Sequence, residues 1–511
     1  MHAVVAAVAS EDLGGFPKRS WRNRVKEAHE EVAMIAKAES VPSAGSESGQ
    51  QTITDHGDTF VTISLEIGSQ QIKAIPDSGS FELYIVDGQD CKLDMCKPAY
   101  NPEKSQRHFE PSQSLKKDIY FGSGTCGVEL SFDSVKIHNE APDGSGISPA
   151  LVPLWRIVEM DDNLAGVWGD GEGFQGIVGL GFKGNVHKEP SELLLEEKVV
   201  LETKRKTGVD PAKPGLASKA LFGDVFAICL PRGEDAKPVE VFLEQSRPSQ
   251  QDGRLWWGTA VPALSFNSVP VVGTRHWTIK IDSAHFQFTT GGEKLHHICG
   301  GPSSSPCAAL VDSGTSLIAM SPEKINELLS STVIGDLDPS CSNVDQMPDL
   351  IFNLGHGETL TLTPDTYVMK ISTTQTALHD AKGRVVLEKG KVLNIRPPPV
   401  HLMALKGSKP DSNTYCTHAF METPMETATV GGTEHELIIL GIPVFREYTV
   451  KFDRKKETLG FAAHPFGVTC HSGDLSRAPP ASLAQTERRQ PHIRTLGKLS
   501  ELVFPDEFAR I

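Results

Sequence analysis

The sequence contains no long apolar run. Its longest apolar stretches, such as residues 436–445, span about ten positions, whereas a membrane-spanning helix needs about 18 or more. It also lacks a surplus of positive charge, since 50 Lys and Arg face 65 Asp and Glu, a formal net charge of −15. Such a chain repels nucleic-acid phosphates and anionic lipid. These absences exclude a transmembrane helix, argue against a nucleic-acid partner and favour a neutral or cationic one.

Cysteine is scarce, and N-glycosylation sites are absent. Nine cysteines in 511 residues are too few for a disulfide-dense scaffold, and their odd number leaves at least one thiol over if disulfides form. No Asn-X-Ser/Thr triplet occurs, so N-glycosylation is not expected. The histidines at 296 and 297 lie beside Cys299 and Cys307, but this spacing fits no closed zinc site. We therefore predict neither a metal nor another cofactor.

The two ends of the chain differ in composition from its middle. An apolar stretch at 3–9 predicts either an atypical signal peptide or a frayed terminus. Residues 1–49 as a whole form a leader that predicts either a prosegment capping an acidic cleft in cis or a solvated helix. Residues 469–511 are predicted to be a polar tail. The leader contains a basic patch before a Ser/Gly stretch: Lys18, Arg19, Arg22, Arg24 and Lys26.

The middle of the chain repeats itself. Residues 74–80, Ala-Ile-Pro-Asp-Ser-Gly-Ser, recur at 309–315 as Ala-Leu-Val-Asp-Ser-Gly-Thr. An apolar segment ending in glycine follows each copy, at 176–179 and 437–441. Short runs of Val, Ile, Phe and Thr separated by Gly, Pro, Asn and Asp indicate strands. The pattern predicts a mostly-β protein of two similar lobes, over 50–240 and 241–468.

Duplication matters for the two repeated aspartates. If Asp77 and Asp312 meet across a twofold axis, both carboxyls cannot ionise together, so they share one proton. The ionised carboxylate can then take a proton from water while its partner donates to a carbonyl oxygen. This arrangement predicts hydrolysis without a covalent intermediate.

The order of these motifs and of others between about Thr52 and about His464 resembles the pepsin-like aspartic endopeptidases. The resemblance implies a bilobal, pseudo-twofold β fold with an active-site cleft between the lobes. It also implies an aspartic endopeptidase that acts on peptides or proteins, is made as a zymogen and is monomeric. The matching segments are Asp77-Ser78-Gly79-Ser80, Tyr84, a flap hairpin at Phe121-Gly122-Ser123-Gly124-Thr125, residues 176–181, Trp277, Asp312-Ser313-Gly314-Thr315 and residues 439–441.

The same resemblance implies roles for the matched residues. Asp77 and Asp312 would activate the water, Ser80 and Thr315 would bond the outer carboxylate oxygens, and Ser78 and Ser313 would cross-brace the two loops. Gly79 and Gly314 would admit the substrate backbone. The flap residues Gly122 and Ser123 would hydrogen-bond the substrate, and Tyr84 and Phe121 would line its pocket.

The cysteines fit the family with exceptions. The resemblance implies three disulfides, Cys91–Cys96, Cys299–Cys307 and Cys341–Cys416. Three pairs imply an oxidising compartment, and hence the secretory pathway, with the protein secreted or in an acidic vesicle. For Cys126, Cys229 and Cys470 the sequence leaves both a fourth bond and free thiols open.

Three residues depart from the family pattern. Phe121 replaces the usual flap tyrosine, as in some protist members of the family, and Tyr84 replaces a tryptophan. On a strand, the neighbouring Tyr120 should face away from the pocket. Pro76 removes a backbone donor directly before Asp77. We expect altered flap dynamics and substrate preference; the alternative is a non-catalytic pepsin-like protein that binds peptides or partners in its cleft.

Overall fold

The computed structural model describes residues 48–463 and Cys470 with interruptions. The leader up to residue 47, the tail from 471, the predicted disulfide Cys91–Cys96 and the flap residue Ser123 lie outside the described residues. The interruptions are 57–59, 89–98, 114, 123, 141–149, 162–163, 165–173, 184–189, 216, 232–238, 241–251, 289–294, 302–304, 331–333, 335–336, 339–340, 356, 373–377, 380–384, 387–413, 424–426, 431 and 464–469.

The first half of the chain is mostly strands. Its elements are β1 (Gly49–Asp55), β2 (Val61–Ile67), β3 (Gln70–Asp77), β4 (Leu83–Val86), β5 (Lys116–Phe121), β6 (Gly124–Ile137), β7 (Ala150–Met160), β8 (Gly176–Gly179), α1 (Pro190–Thr207), α2 (Ala217–Phe222), β9 (Val225–Cys229) and β10 (Val239–Glu240).

The second half is built in the same way. Its elements are β11 (Gly253–Trp257), β12 (Asn267–Pro270), β13 (Thr278–Ile281), β14 (Ser283–Gln287), β15 (Leu295–Cys299), β16 (Cys307–Val311), β17 (Ile318–Met320), α3 (Pro322–Ser330), β18 (Asp349–Gly355), β19 (Glu358–Leu362), α4 (Pro364–Tyr367), β20 (Val368–Ser372), β21 (Leu378–His379), β22 (Val385–Val386), β23 (Thr414–His418), β24 (Phe420–Glu422), β25 (Thr427–Val430), β26 (Thr433–Leu440), α5 (Ile442–Glu447), β27 (Tyr448–Asp453) and β28 (Thr458–Ala463).

One set of strand pairings occurs in both halves. In the first, β3 is antiparallel to β2 and parallel to β8, while β4 is antiparallel to β8 and parallel to β7. In the second, β16 is antiparallel to β13 and parallel to β26, while β17 is antiparallel to β26 and parallel to β24. The strands β8 and β16 are buried along their whole length, which explains their continuous apolar sequences. The mostly-β, two-lobed prediction is confirmed.

A shared sheet joins the two lobes. Its strands lie in the order β12, β28, β27, β9, β11, β1, each antiparallel to the next. Strands from both halves of the chain, such as β9 and β27, therefore lie side by side. Beneath them, Phe226 and Phe452 stack with ring centroids 4.6 Å apart, and Trp277 contacts Phe452 edge-on at 5.1 Å. The core is thus continuous across the junction.

Three disulfides lie within the described residues. Cys299–Cys307 and Cys341–Cys416 have the pairing that the family resemblance implies. The third joins Cys229 of β9 to Cys470 across 241 positions of sequence. Cys126, buried in β6, has no disulfide partner among the described residues, and burial raises the pKa of its thiol to about 12, with Asp118 and Asp161 adding to the rise.

The described helices include none that could cross a membrane, since none is both long enough and apolar enough.

Candidate active site

The two Asp-Ser-Gly loops meet at the centre of the molecule. Each loop follows the buried end of a central strand, β3 or β16, so the fold brings positions 235 residues apart into contact. The Ser78 amide donates to Ser313 Oγ at 3.0 Å, and the Ser313 amide donates to Ser78 Oγ at 2.9 Å. Each hydroxyl also donates across to the carbonyl before the opposite aspartate, Ser78 to Val311 at 2.9 Å and Ser313 to Pro76 at 2.6 Å. These four reciprocal bonds fix the loops to each other.

The carboxyl groups of Asp77 and Asp312 lie within this brace, and neither residue is exposed to solvent. The Gly79 amide donates to Asp77 Oδ1 at 2.8 Å, and the Gly314 amide donates to Asp312 Oδ1 at 2.9 Å. The second oxygen of Asp312 accepts a 2.5 Å hydrogen bond from the Thr315 hydroxyl. The equivalent Ser80 hydroxyl is buried but makes no hydrogen bond of ordinary geometry to a described residue.

The two carboxyl groups differ in electrostatic environment. Burial, then the charge of Asp312 and a hydrogen bond with it, raise the pKa of Asp77 well above its usual range, although Ser80 and the Gly79 amide oppose the rise. Burial also raises the pKa of Asp312, but hydrogen bonds from Asp77, Thr315 and the Gly314 and Gly79 amides oppose it. Two such groups in a dry site favour a state with one shared proton.

Gly79 is required for this close approach. A β-carbon added there would lie 2.7 Å from Asp312 Cγ and 2.8 Å from both of its carboxylate oxygens. Any larger residue would therefore force the carboxyl groups apart.

The first loop is supported from behind. The Leu180 amide donates to the Asp77 carbonyl at 2.6 Å. The Leu180 carbonyl in turn accepts from Trp277 Nε1 at 2.9 Å and from Arg454 Nη2 at 3.0 Å. Both donors belong to the second half of the chain. The resemblance identified Trp277 but not Arg454, whose only sequence signal is its place after the Phe-Asp pair of β27.

Pro76 is accommodated because a strand pairing ends before it. The pairing of β3 with β2 extends only to Ala74. In the second lobe the equivalent position is Val311, whose amide donates to the Trp277 carbonyl at 3.0 Å. Proline cannot make that bond and is tolerated where a strand is paired on one side. Pro76 is therefore compatible with the loop, whose Ser313 bond uses only its carbonyl.

The flap hairpin is formed by β5 and β6, with Phe121 opposite Gly124. Phe121 is buried, whereas Tyr120 is 44% exposed, which confirms that the two rings face opposite sides. The Phe121 ring meets Tyr84 edge-on, with centroids 5.5 Å apart and planes at 87°. Gly122 lies at the end of the hairpin. Aromatic contact thus replaces the tyrosine–tryptophan pair of the family pattern.

Further buried apolar side chains pack in one cluster with Phe121 of the flap. They come from β3, β5, α1 and the segment between β7 and β8, and sequence reasoning did not identify them. Phe174 could have been identified from the sequence, because it lies just before the Gly-Ile-Val-Gly strand. Nothing in the sequence marks Leu164 or Val199. The cluster includes Ile75, Ile119, Leu164, Phe174 and Val199 with Tyr84 and Phe121.

On another side of the first loop lies His276, also missed from the sequence. Its ring packs against Phe81 at a centroid distance of 4.7 Å. Burial, and then the charge of Arg275, lower the pKa of His276 to about 4, although a hydrogen bond to the Gly79 backbone opposes this. The histidine is therefore neutral over most of the pH range and packs as an apolar ring.

Comparison with known proteins identifies the family of this chain. The sequence profile of the family described as "Eukaryotic aspartyl protease" matches residues 59–382. The chain is 24% identical to Pepsin A of Bos taurus over 423 residues, 81% of this chain and 86% of that protein. It is 26% identical to Pepsin A of Sus scrofa over 339 residues, covering 64% and 74% of the two chains. It is 25% identical to Cathepsin E of Rattus norvegicus over 320 residues, covering 61% and 66%. The chain therefore belongs to the eukaryotic aspartyl protease family, the family of the aspartic endopeptidases.

Proposed function

We propose that this protein hydrolyses peptide bonds with a water molecule activated by Asp77 and Asp312. The observation that carries the proposal is the pair of buried carboxyl groups held together by the reciprocal Ser78 and Ser313 hydrogen bonds. Such a pair supplies an acid and a base in one site.

The unequal environments support a division of roles between the two carboxyl groups. Asp312, which accepts hydrogen bonds from Thr315 and Gly314, is the ionised base that takes a proton from the attacking water. Asp77, whose pKa is raised well above its usual range by burial and by Asp312, donates its proton to the substrate carbonyl oxygen. The tetrahedral diol then collapses as Asp312 passes its proton to the leaving nitrogen and Asp77 recovers one from the diol. No covalent enzyme intermediate forms.

The proposed substrate is an extended peptide with a large apolar side chain next to the cleaved bond. The apolar cluster that contains Tyr84, Phe121, Leu164 and Phe174 supports this choice, because it packs against the flap and offers an apolar contact for such a side chain. An extended segment can also bond the edge of the flap hairpin through its backbone.

We also propose that the protein is made as a zymogen in the secretory pathway. The three disulfides support an oxidising compartment. The basic patch of the leader supports binding of that segment to a cleft that contains two aspartates in an acidic protein.

The second candidate function is peptide binding without cleavage. It is favoured by one observation, the loss of the usual flap hydroxyl at Phe121, which changes contacts on the substrate side of the site. The dyad loops themselves argue against it, since both aspartates and both following glycines are present.

Cleavage of a diverse peptide library at pH 3 to 7 tests the two candidates. The full chain is compared before and after leader removal, with and without pepstatin. We expect acid-dependent cleavage that pepstatin blocks, and a loss of about 1,000-fold or more in kcat/KM for Asp77→Asn and for Asp312→Asn. Peptide binding without turnover at every pH, after confirmed leader removal, would establish the binding function instead.

A further inference from the structure

Asp161, the first residue after β7, contacts the flap. Its Oδ2 accepts a 2.7 Å hydrogen bond from the Thr125 amide, near the tip of the hairpin. Its own amide donates to the Thr125 carbonyl at 2.9 Å. A single residue outside the hairpin therefore bonds both backbone groups of one flap position.

The same carboxylate also bonds the backbone of Leu164. Its other oxygen, Oδ1, accepts a 2.8 Å hydrogen bond from the Leu164 amide. Leu164 is buried, with 1% of its surface exposed, and packs in the cluster that contains Phe121 and Tyr84. Asp161 thus ties the flap strand to a buried residue of the apolar cluster that contains Phe121.

Close packing reinforces the connection. Gly124 adopts φ of +150°, and a β-carbon added there would lie 2.5 Å from Asp161 Oδ1 and 2.7 Å from the Leu164 amide nitrogen. The first of these atoms belongs to the carboxylate that bonds Thr125. The second belongs to the backbone, which cannot rotate away. Only glycine lets the flap strand lie this close.

We propose that Asp161 is a positioning residue, a flap latch that holds Thr125 and Leu164 together and so sets the height of the flap above the pocket. This inference rests on the proposed function, because the latch acts on the pocket that binds the substrate side chain. Asp161 lies outside the dyad and takes no part in the proton transfers. Its removal therefore weakens substrate binding and relaxes the choice of apolar side chain, while the chemical step is preserved.

The first test compares Asp161→Ala and Asp161→Asn with Asp118→Ala, which removes a carboxylate of the flap hairpin itself. We expect KM to rise about 10-fold in Asp161→Ala with kcat within about threefold, since one charge-assisted hydrogen bond to the flap is lost. Asp161→Asn keeps one acceptor oxygen and should give an intermediate KM. Asp118→Ala should match wild type. A residue with only a structural role would instead lower thermal stability and leave KM unchanged.

The second test needs no catalytic activity. Hydrogen–deuterium exchange is followed on peptides that contain Thr125, in the intact full chain, with and without pepstatin. We expect exchange at this amide to be about 10-fold faster in Asp161→Ala than in wild type or Asp118→Ala. If wild type proves to be inactive, faster exchange still establishes the latch, so the two proposals fail separately.

Gly124→Ala probes the same contact from the flap side. Its matched control is Gly127→Ala on the same strand, where an added β-carbon would meet nothing closer than 3.6 Å. We expect Gly124→Ala to reproduce the KM and exchange changes of Asp161→Ala, and Gly127→Ala to show neither. Unchanged exchange and unchanged KM in both Asp161→Ala and Gly124→Ala would overturn the proposal.

Discussion

The two dyad loops have the same backbone frame but different surroundings. Both follow a central strand that is parallel to a Gly-ended strand, and both receive a glycine amide on Oδ1 of the aspartate. In the second loop the Thr315 hydroxyl bonds the other oxygen at 2.5 Å, whereas in the first the Ser80 hydroxyl makes no hydrogen bond of ordinary geometry to a described residue. Val311 donates an amide to Trp277, where the first loop has Pro76. A duplicated fold therefore produces unequal carboxyl groups.

The difference shows how a symmetric frame can separate an acid from a base. Hydrogen bonds stabilise the ionised form of a carboxyl group, whereas burial and a neighbouring negative charge stabilise its neutral form. Asp312 has more of the stabilising hydrogen bonds, whereas Asp77 is affected more by burial and by the neighbouring negative charge. The inequality comes from one side chain and a few backbone groups, so it can be changed by single substitutions.

Among substitutions around the two aspartates, the largest effect is expected from Gly79→Ala, which disrupts the contact between the loops. The added methyl would lie within 2.8 Å of both Asp312 oxygens, so the carboxyl groups must separate and can no longer share a proton. We expect kcat/KM to fall about 100-fold. Peptide cleavage at the optimal pH measures the loss, and a thermal melt shows whether the fold persists. A folded variant with activity within threefold of wild type would contradict this account.

A smaller effect is expected from replacing the hydroxyl residue of each loop, Thr315 or Ser80. Thr315→Val removes the bond to Asp312 and should raise the pKa of that carboxyl, because hydrogen bonding favours its ionised form. The acidic limb of the kcat/KM profile then moves to higher pH, with about 10-fold lower activity on that limb. Thr315→Ser should restore much of the activity.

Ser80→Ala is the matched change in the first loop. It should shift the acidic limb less than Thr315→Val does, since Ser80 makes no hydrogen bond of ordinary geometry to a described residue. Equal shifts in the two variants would show that the loops are electrostatically equivalent.

The smallest expected effect is on stability. Asp77 has a raised pKa in the folded state, so the folded protein binds more protons than the unfolded chain between the ordinary and the raised value. Stability from this group is therefore complete below the ordinary pKa and is lost as the pH rises through the raised one. Asp77→Asn should increase the melting temperature by a few degrees at pH 7 but not at pH 3.

Asp312→Asn should raise the melting temperature at pH 7 by less than Asp77→Asn does, because hydrogen bonds already stabilise the ionised Asp312. Scanning calorimetry at pH 3 and pH 7 measures the melting temperatures of both variants. A larger gain for Asp312→Asn would reverse the assignment of acid and base.

Much of the fold could be predicted because the relevant signals are local. The repeated Asp-Ser-Gly segments, the alternation of apolar residues in short strands and the order of glycine-ended strands all lie within a few residues of one another. Tyr120 and Phe121 face opposite sides of the hairpin because successive side chains of a strand alternate between its two faces. The disulfide pairs Cys299–Cys307 and Cys341–Cys416, by contrast, came from the family resemblance.

Contacts between distant residues could not be predicted in this way. The Cys229–Cys470 disulfide joins residues whose separation of 241 positions carries no pairing signal. The buried residues Leu164 and Val199 belong to different elements and join one apolar cluster only after folding. Asp161 is one acidic residue among 65, and nothing in its neighbourhood distinguishes it until the flap lies against it.

The sequence alone determined the two-lobed frame and the identity of its paired aspartates, because strand period, turn chemistry and repeated motifs are properties of neighbouring residues. The tertiary structure decided which aspartate carboxylate receives a hydroxyl hydrogen bond, why Pro76 fits and which side chain bonds the flap at Thr125. Those outcomes depend on burial and on hydrogen bonds a few ångströms long between segments far apart in the chain, and such distances exist only in the folded protein.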